Sequence, residues 1–134
     1  MAEFALEVRD HIMVAHSLPR PAFGPAQGVH GATFTVDVAL FREGLNSDNI
    51  VVDIGLALTV LKSVLEPLNY KNLDELSELK GKLTTTEFLC RYIFEQLKAE
   101  IGQEKLGADS KAISRLRVTL HESHVAKAWF EDKL

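Results

Sequence analysis

His30-Gly31-Ala32-Thr33-Phe34-Thr35-Val36-Asp37-Val38-Ala39-Leu40 is the stretch on which the reading of the fold turns. His30, Ala32, Phe34, Val36, Val38 and Leu40 alternate with Gly31, Thr33, Thr35, Asp37 and Ala39. A period of two with the larger apolar groups on one side is the pattern of a half-buried antiparallel strand. Such a strand needs neighbours. Upstream, Phe4, Leu6 and Val8, then Ile12, Val14 and His16, alternate in the same way and predict a long first strand. Between the two, Pro19, Pro21, Gly24, Pro25 and Gly28 make a loop, because proline removes a donor and fixes the backbone while glycine admits turn conformations. Gly44 and Asn46 end the second strand.

Helical spacing takes over downstream. Asp53 is placed to cap a helix whose buried stripe is Ile54, Leu58, Leu61, Leu65 and Leu68, with Pro67 and the polar run after it as the stop. Thr84-Thr85-Thr86-Glu87 reads as a capping box for a second helix, Thr84 bonding the amide of Glu87 and Glu87 reaching back to Thr84. Leu89, Ile93, Leu97 and Ile101 are its buried stripe. After a polar connection from Gly102 through Ser110, alternation returns. Leu116, Val118 and Leu120 interleave with Arg115, Arg117, Thr119 and His121 as a third strand, and Val125 to Phe130 is a short fourth. Glu122, Ser123 and His124 suit the hairpin turn between them, and Trp129 and Phe130 suit packing of a strand or a subunit interface. The order ββααββ predicts an α+β domain over residues 1–134, a four-stranded antiparallel sheet with two helices on one face.

Composition narrows the function. The 134 residues carry a formal net charge of -4, which argues against a nucleic-acid surface, since affinity for phosphate backbones comes mainly from clustered Lys and Arg. A small neutral or cationic ligand fits better. No apolar run is long enough to span a bilayer, and Glu3, Glu7 and Asp10 stand where a leader would be basic, so a cytoplasmic protein with no membrane partner is expected. Cys90 is the only cysteine, which rules out an internal disulfide and a thiolate cluster within one chain; inside the second helix it reads as a small core residue.

Several separated motifs agree with one family. Val14-Ala15-His16-Ser17-Leu18-Pro19, His30-Gly31, Ile50-Val51-Val52-Asp53-Ile54, Leu68-Asn69-Tyr70-Lys71-Asn72-Leu73, Thr85-Thr86-Glu87 and Glu122 stand in an order that resembles the 6-pyruvoyltetrahydropterin synthase and 6-carboxytetrahydropterin synthase family over almost the whole chain. The resemblance implies the tunnelling fold (T-fold) and a homohexamer built as a dimer of trimers, with the pocket between adjacent subunits. It also implies zinc on three histidines, a catalytic cysteine with an Asp-His pair, and a glutamate that anchors the pterin. By this resemblance Glu122, Thr85, Thr86 and Glu87 are ligand-binding, and His16, His30 and Tyr70 line the pocket.

The departures fall where that family does its chemistry. His16 and His30 occupy two ligand positions, but Ala32 stands at the third; residues two apart on a strand share a face, so this is where a partner of His30 would project. The segment Phe23-Gly24-Pro25-Ala26-Gln27-Gly28 holds neither thiol nor acid, and Asn69-Tyr70 replaces the Asp-His pair. No catalytic residue, no metal ligand set and no cofactor are therefore assigned. The residues by themselves leave alternatives: His16 and His30 as ordinary strand histidines, Glu87 as a cap alone, Glu122 as a solvated turn residue, and His121 and His124 as turn histidines or substitute metal donors. The expectation is a protein that binds a pterin- or purine-like small molecule and lacks the zinc-dependent reaction. A metal-free enzyme with altered chemistry on a pterin, and a structural or regulatory subunit, are the competing readings.

Overall fold

The computed structural model describes residues 2–134. Alternation builds the sheet as expected for its long strands. β1 (Phe4–His16) and β2 (His30–Arg42) pair antiparallel along their whole length, from Phe4 opposite Arg42 to His16 opposite His30. β2 pairs antiparallel with β4 (Arg115–Ser123), and β4 with β5 (Ala126–Lys133). The buried face carries Val8, Ile12 and Val14, then Phe34, Val36, Val38 and Leu40, then Leu116, Val118 and Leu120.

The sheet has five strands, not four, and it is mixed. β3 (Lys71–Asn72) lies parallel to β1 at the edge, giving the order β3-β1-β2-β4-β5. Two residues are too few to show a period, so this strand carries no pattern of its own. It forms because the backbone N–H of Tyr70 donates to the Met13 carbonyl (2.7 Å) and the Asn69 side-chain oxygen accepts from the Met13 N–H (2.9 Å), pairing groups that an edge would leave open.

Two helices cover the buried face. α1 (Ile54–Leu65) is capped as expected, the Asp53 carboxylate accepting from the Leu56 N–H at 2.8 Å. Its buried side differs from the predicted stripe: Ala57, Val60, Leu61, Val64 and Leu65 face inward with Leu68 beyond, while Ile54 and Leu58 are 56% and 41% exposed. The segment is apolar nearly all round, so spacing offers two overlapping stripes and contact with β1 selects one. α2 (Thr86–Gly102) buries Leu89, Ile93, Leu97 and Ile101 as predicted, together with Cys90 and Phe94, whose ring meets Phe130 of β5 edge-on at 4.9 Å. The capping box is not formed. Thr85, not Thr84, is the cap and accepts from the Phe88 N–H at 3.1 Å, which leaves Glu87 exposed in the first turn. No helix among the described residues is long and apolar enough to cross a membrane.

Candidate functional site

Strand ends and a helix start meet at one corner of the molecule. His16 closes β1, His30 opens β2, and their register sets them opposite each other with ring centroids 4.6 Å apart and planes tilted by 57°. The Phe34 ring stands edge-on to His16 at 6.3 Å. Thr84, fully buried just before α2, places Oγ1 2.9 Å from His16 Nδ1. That contact explains why the helix starts one residue late: the Thr84 hydroxyl is already engaged, so Thr85 takes the cap.

The two imidazoles have different environments. His16 is 3% exposed, and burial, reinforced by the neighbouring His30, pushes its pKa below the usual histidine range; a hydrogen bond to the Thr84 backbone and the charges of Asp74 and Glu122 act the other way. His30 is half-buried, and its Nδ1 lies 2.9 Å from the Gly28 carbonyl. A carbonyl only accepts, so Nδ1 carries a proton and Nε2 is the nitrogen left without a partner from Gly28. Ala32 opposes Val14 in the register and adds only a methyl group beside them. Among the described residues no group of three or more His, Cys, Asp or Glu side chains is arranged to hold a metal ion.

Glu122 is exposed near the end of β4, close enough for its charge to act on His16; Thr85 caps α2 immediately after the buried Thr84, and Thr86, the first residue of the helix, is itself buried. Tyr70 is placed elsewhere. Its backbone is left-handed (φ 61°), its side chain is 76% exposed, and it lines a shallow depression of about 390 Å³ with Met13, Gly31, Ala32, Thr33 and Lys71. Met13, Gly31 and Thr33 lie on the sheet face opposite to that of His16 and His30. Within one chain, therefore, the histidines, Thr84 and the Glu122 charge come together and the tyrosine does not join them. Cys90 is fully buried, donates to the Ala128 carbonyl at 3.3 Å, and burial pushes its thiol up to about 11.

Asp74 escaped the sequence reading. It sits in the 3-10 turn Leu73–Glu75, accepts from the Ser17 hydroxyl at 2.7 Å, and acts electrostatically on His16. One signal was available: Asn72-Leu73-Asp74 is a local turn in which the Asn72 side chain accepts from the Asp74 N–H at 3.0 Å. Its approach to Ser17 crosses 57 residues of chain and has no local trace.

The sequence model of the family described as 6-pyruvoyl tetrahydropterin synthase matches residues 5–133. The chain belongs to that family. A curated relative, 6-carboxy-5,6,7,8-tetrahydropterin synthase of Bacillus subtilis, is 28% identical over 105 residues, covering 72% of this chain and 66% of its own length. Among solved structures, the 6-pyruvoyl tetrahydropterin synthase of Caenorhabditis elegans superposes with a TM-score of 0.81 at 22% identity, over 98% of this chain and 97% of that one. The Plasmodium falciparum 6-pyruvoyl tetrahydropterin synthase gives 0.79 at 17% identity over the full length of both. These likenesses establish the T-fold for this family member: an α+β architecture with a mixed five-stranded sheet.

Proposed function

We propose that this chain binds the pyrimidine edge of a pterin- or purine-like molecule through Glu122, with Thr85, Thr86 and Glu87 beside it, and does not carry out the zinc-dependent reaction of its relatives. The donor set carries this reading. A catalytic zinc site takes three protein donors and keeps a fourth position open for water or substrate. Here two imidazoles face each other and the neighbouring strand position is the methyl group of Ala32. These residues do not fit the metal. The recognition residues fit a ligand better: an ionised carboxylate accepts two parallel bonds from adjacent N–H donors on a ring edge, with charge assistance. Glu122 is exposed, and among the described residues none donates a hydrogen bond to its carboxylate, so it can do this.

Calorimetry with pterin and with guanine, which share that ring edge, tests the proposal. Glu122→Ala should weaken binding by about tenfold or more, the loss of a charge-assisted pair. Equal affinity of both proteins removes the anchor. Elemental analysis of the purified protein should find zinc well below stoichiometric, and Ala32→His should raise zinc affinity without creating synthase activity. Tightly held stoichiometric zinc at neutral pH, or strong synthase turnover, overturns the second half of the proposal.

One observation favours a competing reading. With Nδ1 of His30 held by the Gly28 carbonyl, a neutral ring would present Nε2 as its proton-accepting nitrogen, so metal-free chemistry on a pterin has a candidate base. Turnover of a dihydropterin abolished by His30→Gln would establish it. We also infer that the binding site is completed between subunits of a homohexamer, a dimer of trimers. Tyr70, which lines a depression on the other face of the sheet from the histidines of its own chain, would then serve a neighbouring site.

A further inference from the structure

The sheet face turned away from the helices carries an ion-paired cluster that the ligand reading leaves unused. Asp37 of β2, its side chain only 7% exposed, accepts two bonds from Arg9 of β1, from Nε at 2.6 Å and from Nη2 at 2.9 Å. It accepts a third from Nε2 of His121 on β4, at 2.7 Å. Three strands are thereby tied at one carboxylate. His121 stands at a break in the β4–β5 ladder: His121 pairs with Lys127 and Ser123 with Ala126, so Glu122 is an extra residue with no partner on β5. Such a bulge re-aims a side chain, and moving it by one residue along β4 would turn the side chain it passes to the other face, so a contact that holds His121 on its own face holds the bulge in place as well.

We propose that Asp37, clamped by Arg9, pins His121 and through it the bulge, so that Glu122 is the residue turned toward the ligand. Asp37 and His121 are then positioning residues for Glu122. The inference rests on the reading of Glu122 as the ligand anchor. His121 lies next to the bulge in sequence, and its bond to a nearly buried, doubly clamped carboxylate is stiff. Neither residue needs to touch the ligand.

The test is a double-mutant cycle on the full chain, read by calorimetry with pterin and guanine as probes. His121→Ala should cost about tenfold in affinity when Glu122 is present and nothing measurable in the Glu122→Ala background. His121→Gln, whose terminal amide nitrogen can donate where Nε2 does, should restore affinity to within about twofold. Amide hydrogen exchange at Glu122 and Ser123 should quicken in His121→Ala and recover in His121→Gln. Should His121→Ala fail to fold, Asp37→Asn takes its place in the same cycle. Equal losses in both backgrounds, or unchanged affinity with unchanged exchange, overturn the proposal. If the unsubstituted protein binds neither probe, the ligand reading falls by itself. The exchange comparison then decides the pinning of the bulge by itself: faster exchange confined to the bulge and reversed by Gln supports the pinning, and unchanged exchange ends it.

Discussion

Asp37 shows how one side chain ties stability to pH. The Arg9 guanidinium, ahead of His121, holds its carboxyl below the usual Asp value of 3.8. Below that value the unfolded chain takes up a proton that the folded chain resists, so the stabilisation is complete above about pH 4 and is lost as pH falls through the lower folded value. His16 adds a second acid-sensitive step with the same sign. Its folded pKa lies below the usual 6.5, so protonation of the unfolded chain weakens the fold as pH drops below about 6.5. Denaturant titrations from pH 7 to pH 3 should show both losses, and Asp37→Asn should flatten the lower one. That substitution should also cost on the order of 1.5–3 kcal/mol at pH 7, the range for hydrogen bonds to a charged group. Cys90, fully buried with its thiol pushed up to about 11, should resist thiol reagents in the native state and react at once in denaturant. A thiol that reacts fast while the protein remains folded would contradict its place in the core.

At the scale of the element, the start of α2 separates two threonines with different work. Thr85→Ala should destabilise by about 1 kcal/mol through loss of the cap to Phe88. Glu87→Gln should change stability by less than about 0.5 kcal/mol, since no reciprocal bond ties it to the helix start. Thermal melts of the two variants distinguish this arrangement from a capping box, in which both changes would matter. Thr84 belongs to the site instead of the helix, and Thr84→Val should disturb the His16 titration, read by NMR, more than the helicity. A shift of His16 no larger than that caused by Thr85→Ala would break the proposed link.

At the scale of the molecule, the sheet ends on strands that leave backbone groups unpaired. β3 covers only the Val14–Ala15 portion of β1, and β5 is paired on one side by β4. Exposed edges of this length are normally covered or closed, and ring closure between copies removes them. Light scattering should therefore find a homo-oligomer, with a hexamer as the expected mass, and its melting temperature should rise with protein concentration. A stable monomer that still bound a pterin would defeat both the assembly and the shared site.

What the residues settle by themselves is local or chemical. Alternation in β1, β2 and β4 was legible because a period of two is written in neighbouring positions, and the start of α1 because Asp53 caps within three residues; β5, expected at Val125 to Phe130, runs from Ala126 to Lys133 and its burial does not alternate. The absence of a donor at Ala32, of a thiol in residues 23–28 and of an Asp-His pair at Asn69-Tyr70 is equally a property of composition along the chain. Tertiary structure decided wherever two partners competed or a long loop of chain had to close. It chose the inward face of α1 from two apolar stripes, turned Thr84 to His16 and left the cap to Thr85, and paired Lys71–Asn72 with β1. It also joined Arg9, Asp37 and His121 across 28 and 84 residues of sequence, and placed a bulge at Glu122. A hydrogen-bonding group reports its chemistry in the sequence, but which partner satisfies it depends on every other group competing for the same space, and that is decided only when the chain has packed.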